Sequence, residues 1–196
     1  MPEGKLKKVS IICSKGSLDG AYPALFLANG ARMEGIEVNV FFTFFGMDAI
    51  TKKKMKKIRI STVGNPALAL PGTSLGMPTW LGAIPGMSAI ATAMMKRTME
   101  KLDIPPIDEF IEMISAAGGK LWACKASVDM FGLKEEDFCD EVDGILTVGD
   151  FYDLSEGAEI IFTNIIHLFS KPIPTSRIIE YDSIMMIKRS KMNSRK

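Results

Sequence analysis

The segment from residue 36 to residue 46, IEVNVFFTFFG, constrains the fold more than any other part of the sequence. It is apolar at nearly every position, as expected for a strand in a parallel sheet. A strand of this composition is buried on both faces, which is typical of a parallel sheet covered by helices. The segment therefore predicts a sheet with helices packed on both sides.

Predicted strands alternate with predicted helices along the rest of the chain. Strands are predicted at residues 7–13, 36–46, 120–124, 142–149 and 158–163, and helices at residues 21–35, 107–119 and 150–157. This alternation is typical of an α/β domain with a mostly parallel, five-stranded sheet. With 196 residues, of which 47% are hydrophobic, the chain is long enough to bury one full core. We expect a single domain over residues 1–164 and a basic C-terminal extension over residues 165–196.

An uncharged insertion interrupts this pattern, because residues 60–95 contain no charged side chain. The insertion is long enough to cross a bilayer, but its prolines and glycines would break a spanning helix repeatedly. We therefore expect it to pack in the core, form a loop or contact another subunit. Residues 88–102, which begin inside the insertion and extend beyond it, are predicted to form a helix. We expect this helix to pack against another subunit or to close over the functional site.

Charge and leader sequence limit the surroundings in which the chain acts. With a net charge of +1, the chain has no overall positive field that would favour binding to nucleic acid. The chain opens without a secretory leader, which predicts a cytoplasmic location. Six of the nine residues at 51–59, TKKKMKKIR, are basic, and a solvated helix face is the simplest interpretation. Together with the apolar insertion, residues 51–95 would also suit peripheral contact with an anionic membrane surface, and we leave both alternatives open.

Several common reaction types are excluded by the residues present. His167 is the single histidine and no Cys-x-x-Cys pair occurs, so a zinc site built from cysteine and histidine is not expected. No phosphate-binding loop and no glycine-rich dinucleotide motif follows the first predicted strand. Three cysteines, without the spacing of a disulfide framework, indicate reduced thiols.

The three cysteines remain as candidate reactive groups. Cys13 and Cys124 end the first and third predicted strands, and ligands bind at the carboxyl edge of a parallel sheet. Cys124 is followed by Lys125 and a predicted helix start, and both the helix N-terminus and an ammonium favour a thiolate. Six carboxylates surround Cys139 in the sequence and disfavour a further negative charge. We rank the thiols Cys124, Cys13 and Cys139, the alternative for each being a small buried side chain.

A disulfide between Cys13 and Cys124 depends on the order of the strands. If the second strand lies between the first and the third, the two Cα atoms are about 10 Å apart. A disulfide needs Cα atoms within about 7 Å. We expect the second strand to separate them, although the sequence alone leaves the strand order open.

Three stretches carry a family resemblance within residues 6–163. They are SKGSLDGAYPALFLANGARMEGIEVNVFFTFFGMDAI, LWACKASVDMFGL and VDGILTVGDFYDLSEGAEIIFT. The chain resembles the DsrE/DsrF-like sulfur-relay family through them, in particular its longer branch with an uncharged insertion. The resemblance implies an α/β/α sandwich of three layers that assembles into oligomers. It also implies that Cys124 carries a persulfide and passes sulfane sulfur between partner proteins.

Residues and resemblance together predict a sulfur carrier or sulfurtransferase with Cys124 as its reactive residue. Cys13, Lys125 and Ser127 are secondary candidates, and Ser127 would cap the helix or hydrogen-bond the sulfur. Backbone amides at the helix start would supply further donors. No metal or organic cofactor is required, and the expected partners are sulfur donor and acceptor proteins and further copies of the chain. The alternative is a non-catalytic oligomeric scaffold whose cysteines only pack.

Overall fold

The structure is a computed structural model that describes residues 6–61 and 86–163 and the backbone of residues 186–188. The strands are β1 (Lys8–Cys13), β2 (Glu37–Phe42), β3 (Lys120–Cys124), β4 (Gly144–Leu146), β5 (Glu159–Thr163) and β6 (Met186–Lys188). The α-helices are α1 (Leu18–Met33), α2 (Met87–Lys101), α3 (Ile107–Ala116), α4 (Lys125–Phe131) and α5 (Val148–Leu154). Short 3₁₀ turns cover Phe44–Ala49, Met55–Lys57 and Glu135–Asp137.

The strands form one sheet in the order β4-β3-β2-β1-β5-β6. The five strands from β4 to β5 pair in parallel, and β6 pairs antiparallel to β5. The predicted α/β fold with five parallel strands is therefore confirmed. The antiparallel strand β6 was not predicted. It is three residues long and lies in the C-terminal extension, for which no strand was expected.

Helices cover the two faces of the sheet unequally in the part of the chain that the structure describes. Alternate strand residues, such as Ile11 and Val40, form the main core together with α1, α2 and α3. On the opposite face, Phe151 of α5 stacks on Phe41 of β2, with ring centroids 4.5 Å apart. This smaller cluster also contains Cys124. Residues 38–42 of β2 are all buried, so both of its faces are covered, and Asn39 is the polar residue among them.

Several predicted boundaries shift for local reasons. β2 ends at Phe42 rather than at residue 46, because Phe44 adopts a left-handed backbone (φ 47°) and a 3₁₀ turn begins there. The last hydrogen bond to β1 runs from the Thr43 amide to the Cys13 carbonyl oxygen (2.9 Å). α1 begins at Leu18, three residues before its predicted start, with Ser17 as its N-cap residue. It ends at Met33, and Gly35 follows in the left-handed conformation (φ 73°) that its position after the helix requires.

The basic run at residues 51–59 forms turns and a short 3₁₀ segment instead of the predicted helix face. Four of its lysines pair with carboxylates of the same chain, namely Lys52 with Asp140 (2.7 Å), Lys53 with Asp137 (3.9 Å), Lys54 with Asp48 (2.7 Å) and Lys56 with Asp108 (3.4 Å). These pairs lower the net positive charge of this surface. None of the helices in the described ranges combines the length and the apolar character that crossing a membrane needs.

The predicted helix at 88–102 is present as α2, shifted by one residue at each end. Met99 joins the main core, and the Thr92 hydroxyl accepts a hydrogen bond from the Ile60 amide (3.0 Å). Ile90 is 56% exposed. The remainder of the uncharged insertion, residues 62–85, lies outside the described residues. Its contact with another subunit or with the functional site stays a prediction.

Candidate functional site

Cys124 lies at the carboxyl end of β3 and is also the N-cap residue of α4. Leu121 and Ala123 of the same strand face the main core, so alternation turns the Cys124 side chain to the opposite face. There it packs with Phe41 and Phe151, and only 4% of its surface is exposed. The thiol thus lies just beneath the surface at the edge of the sheet where parallel α/β proteins bind ligands.

The segment after β2 completes the site. Because β2 pairs with β3, the residue that follows β2, Thr43, comes to the end of β3. Phe44 has a φ of 47°, a left-handed conformation that few non-glycine residues adopt. In this conformation its amide donates a hydrogen bond to the Ser127 hydroxyl oxygen (2.8 Å). The Ser127 hydroxyl lies 3.2 Å from the Thr43 hydroxyl.

These contacts fix the direction of the hydrogen bonds around Ser127. An amide can only donate, so the Ser127 oxygen must accept from Phe44. The hydrogen of the Ser127 hydroxyl is then directed to the Thr43 oxygen or to the sulfur of Cys124. Since Ser127 is 1% exposed, water does not compete for these positions.

The pKa of the Cys124 thiol is lowered from its ordinary value by this environment. Burial acts in the opposite direction and raises the pKa, but hydrogen bonds from the Thr43 hydroxyl, from the amide and hydroxyl of Ser127 and from the Ala126 amide outweigh it. Together they favour the thiolate, which is the nucleophilic form of cysteine.

Cys13 has the opposite character although it also ends a strand at the same edge. It is fully buried in the main core, and burial raises its pKa to about 12. Its sulfur donates a long hydrogen bond to the Lys15 carbonyl oxygen (3.9 Å). β2 lies between β1 and β3, as expected, and the two side chains face opposite sides of the sheet. The structure therefore does not bring Cys13 and Cys124 together, and all three cysteines are free.

Cys139 also differs from Cys124 in the direction of its pKa shift. Burial raises its pKa to about 12, and Glu141 contributes further to that rise. This agrees with the predicted effect of the carboxylates that surround it in the sequence. The direction of the pKa shift thus separates Cys124 from Cys13 and Cys139, and the order of reactivity stays a prediction.

The secondary candidates Lys125 and Ser127 both lie on α4. Ser127 does not cap a helix, because α4 already begins at Lys125 with Cys124 as its N-cap residue. Its hydroxyl instead joins Phe44 and Thr43 at the site. The Lys125 ammonium pairs with Asp129 one turn along α4, where both side chains are exposed. The main groups that lower the pKa of Cys124 are therefore hydroxyls and amides.

Sequence reasoning missed Thr43 and an aromatic rim beside the site. The rim consists of Phe44, Phe45 and Phe131, which are 50%, 61% and 37% exposed. The rings of Phe45 and Phe131 lie 5.7 Å apart, and the Lys54 ammonium lies 6.0 Å from the Phe131 ring centroid. One signal was available: Thr43 is the polar residue within the apolar run that ends β2.

The groups around Cys124 suit a negative charge on sulfur. Hydroxyls of Thr43 and Ser127 and amides of Ala126 and Ser127 lower the pKa of the thiol. Within residues 6–61 and 86–163, no group of three or more histidine, cysteine, aspartate or glutamate side chains could hold a metal ion. The arrangement supports nucleophilic attack by a thiolate on an electrophilic atom of a second molecule.

An α/β domain with one activated thiol at the carboxyl edge of its parallel sheet defines a class of proteins whose chemistry centres on a single cysteine. Within this class the chain belongs to the DsrE/DsrF/DrsH-like family, whose model matches residues 5–162. The resemblance seen in the sequence is therefore confirmed.

Two relatives and one solved structure illustrate the similarity. The chain is 41% identical over 141 residues to the sulfur carrier protein DsrE2 of Allochromatium vinosum, an alignment covering 70% of this chain and 86% of the relative. It is 27% identical over 159 residues to the uncharacterized protein YrkE of Bacillus subtilis, covering 80% and 96%. The crystal structure of the ychN protein from E. coli covers 79% of this chain and 97% of its own, with a TM-score of 0.45 at 15% identity. At that score the structural likeness supports no further conclusion.

Proposed function

We propose that this protein is a sulfur carrier in which Cys124 holds sulfane sulfur as a persulfide. The observation that carries the proposal is the set of donors around Cys124, which lowers the pKa of a thiol at the edge of the sheet. The name of the Allochromatium vinosum relative, a sulfur carrier protein, supports it. Membership of the family supports it as well.

Sulfur uptake needs only the thiolate of Cys124 and a donor persulfide. The thiolate attacks the outer sulfur of the donor, a new sulfur–sulfur bond forms on Cys124, and the donor's own sulfur–sulfur bond breaks. The electron pair of the broken bond leaves on the donor thiolate, so no external oxidant or reductant takes part. A lowered pKa increases the fraction of Cys124 that is in the attacking thiolate form.

Partner proteins supply and remove the sulfur in this proposal. The aromatic rim of Phe44, Phe45 and Phe131 supports it, because exposed aromatic side chains beside a reactive thiol suit contact with another protein. Assembly into a homo-oligomer, a cytoplasmic location and membrane contact through residues 51–95 stay predictions. Light scattering of the purified chain would measure the assembly, and sedimentation with anionic vesicles would measure the membrane contact.

Intact mass spectrometry tests the carrier function. The purified, reduced protein is incubated with inorganic polysulfide, and excess reagent is removed. We expect the mass to increase by one sulfur atom, because the Cys124 thiolate takes up the outer sulfur of the reagent. The Cys124→Ser variant should gain no sulfur. Cys139→Ala is the matched control, since it removes a thiol whose pKa is raised, and it should load like the unchanged protein.

Two outcomes would contradict the proposal. Failure of the unchanged protein to take up sulfur from polysulfide, thiosulfate or a loaded rhodanese would favour a scaffold whose cysteines only pack. Uptake that persists in Cys124→Ser would place the sulfur on another residue.

A further inference from the structure

The strand β4 forms one edge of the sheet. It pairs with β3 on one side, and no other strand of the described residues pairs with it on the second side. The backbone N–H and C=O groups along such an edge can bond to a strand of another chain. Proteins often block an exposed edge with a charged residue or a proline inside the strand, and β4 contains neither.

A cavity of about 320 Å³ opens beside this edge. Gly144 and Ile145 line it along β4, and Phe138 and Val142 contribute apolar surface. Ile145 pairs with Ala123 and therefore lies on the main-core face of the sheet. A side chain of an added strand that points to this face would enter the cavity. A strand edge with an adjacent pocket for alternate side chains is what recognition by strand addition uses.

The charges of the lining determine which side chain suits the cavity. Glu135, Glu136 and Asp140 line it together with Lys52, which pairs with Asp140 at 2.7 Å. The lining therefore carries two more carboxylates than ammonium groups. Lys134 lies 3.7 Å from Glu136, and both side chains are largely exposed. A basic side chain with a long aliphatic stem fits this lining, because the stem packs on apolar surface and the charged end meets the carboxylates.

The opposite face of an added strand would meet apolar side chains. Leu146 and Trp122 both pack against the cluster that contains Cys124. A Cβ atom at Gly144 would lie 3.5 Å from the Trp122 ring, so the ring lies close to the edge. Because side chains alternate between the two faces of a strand, the matching segment alternates basic and apolar residues.

We propose that β4 and the adjacent cavity form a docking site for a partner protein, which adds an extended segment of alternating basic and apolar residues to the edge of the sheet. Docking does not require chemistry at Cys124, so the inference goes beyond the carrier function. It would nevertheless bring the partner near the thiol, since Leu146 pairs with Cys124. Neighbouring strands lie about 4.8 Å apart, which puts the added strand about 10 Å from β3.

Binding of a synthetic peptide tests the docking site. The probe is a fluorescently labelled peptide of about ten residues that alternates lysine and valine. Fluorescence anisotropy with the full-length chain at low ionic strength should show saturable binding. A peptide of the same composition, with all valines before all lysines, should bind roughly fivefold to tenfold more weakly, because its lysines do not share one face. An alternating glutamate and valine peptide should show no binding.

Amide hydrogen exchange locates the bound peptide. Saturating peptide should slow exchange within residues 144–146 by roughly tenfold or more, because the edge of β4 then forms backbone hydrogen bonds. Exchange in α3 should not change, because this helix lies outside the cavity lining. Binding that leaves residues 144–146 unprotected would overturn strand addition.

Two double variants test the charges at the cavity. Glu135→Gln with Glu136→Gln should weaken binding roughly twofold to tenfold, a modest loss because both side chains are exposed. Glu109→Gln with Glu112→Gln is the matched control, since it changes the net charge equally at exposed positions of α3. The control should bind like the unchanged protein. Equal loss in both variants would mean unspecific attraction and would contradict the proposal.

Two further outcomes would also overturn the partner assignment. One is the absence of peptide binding to the folded chain. The other is light scattering that shows a homo-oligomer which the peptide dissociates, because the edge would then be occupied by a second copy. Sulfur uptake by Cys124 is measured separately, so a failure of docking and a failure of the carrier function are distinguishable.

Discussion

Cys13 and Cys124 occupy equivalent ends of two parallel strands, yet their thiols have opposite properties. Along the sheet, Cys13 pairs with Phe42, and Phe42 pairs with Ala123, so the two cysteines differ by one position in the register. That single position reverses the face of the sheet that each side chain meets. Cys13 enters the main core, where its pKa rises to about 12, and Cys124 meets hydroxyls and amides that lower its pKa.

The comparison shows that the carboxyl edge of a strand does not by itself make a cysteine reactive. Both thiols are almost without exposed surface. For Cys13 the effect of burial on the pKa outweighs one backbone hydrogen bond at Lys15, whereas for Cys124 the hydrogen bonds from Thr43, Ser127 and Ala126 outweigh the effect of burial. The balance between burial and donors therefore determines which thiol is the candidate nucleophile.

Selective alkylation would show the largest effect. A pKa of about 12 lies three units above the ordinary value of 9.0, so the thiolate fraction of Cys13 is about a thousandfold below that of an ordinary thiol. We expect iodoacetamide to label Cys124 of the native protein, at a rate that rises with pH through a midpoint below 9.0. Peptide mapping by mass spectrometry would measure the labelled sites. In denaturant all three cysteines should react alike, and comparable labelling of native Cys13 would contradict the comparison.

Replacement of Gly46 should have the next largest effect, because this glycine holds the segment that separates the two environments. A Cβ atom at Gly46 would lie 2.1 Å from the carbonyl oxygen of Cys13 and 2.7 Å from its carbonyl carbon. Both atoms belong to the backbone and cannot turn away. Gly46→Ala should lower the free energy of unfolding by about 1–3 kcal/mol in urea titration. It should also displace Thr43 and raise the alkylation midpoint of Cys124.

Gly30 provides the matched control. It lies on the exposed side of α1, and a Cβ atom there would meet nothing within 4 Å. Gly30→Ala should therefore raise the free energy of unfolding by about 0.5–1 kcal/mol, since alanine favours helices. If Gly46→Ala were as stable as Gly30→Ala, the close contact between Gly46 and the backbone of Cys13 would not be needed for stability.

Replacement of Lys125 should have the smallest effect. Its ammonium pairs with Asp129, and both side chains are at least half exposed to solvent. Water screens such charges, so Lys125→Met should change the alkylation rate of Cys124 by less than about twofold. The rate would be compared at equal pH with that of Thr43→Val. A tenfold loss would mean that the ammonium, as the sequence suggested, does activate the thiolate.

Local signals predicted the framework of the site correctly. β3 covers the predicted residues 120–124, and a helix begins at residue 125 as expected. Cys124 could be ranked first because its neighbours in the sequence, a strand before it and a helix after it, determine its position at the edge. Carboxylates next to Cys139 in the sequence likewise predicted the direction of its pKa shift.

The donors could not be predicted, because they depend on contacts between distant parts of the chain. Thr43 reaches Cys124 through the pairing of β2 with β3, and Ser127 binds an amide 83 residues away. Ser127 lies three residues after Cys124, where a local capping role was the natural expectation. The sequence also did not show which face of the sheet Cys13 and Cys124 occupy. Strands that are apolar on both sides show no alternation from which the two faces could be distinguished.

The position of β5 in the sheet has a consequence for how the chain is made. β5 pairs with β1, joining Val9 to Glu159 across about 150 residues of sequence. A ribosome adds roughly 5–20 residues per second, so the nascent chain spends about 8 to 30 s with one edge of β1 unpaired. That edge belongs to an apolar, β-branched strand of the kind that pairs with other chains. The time during which the nascent chain can aggregate through β1 therefore depends on the interval between the synthesis of β1 and of β5. It depends less on the stability of the completed sheet.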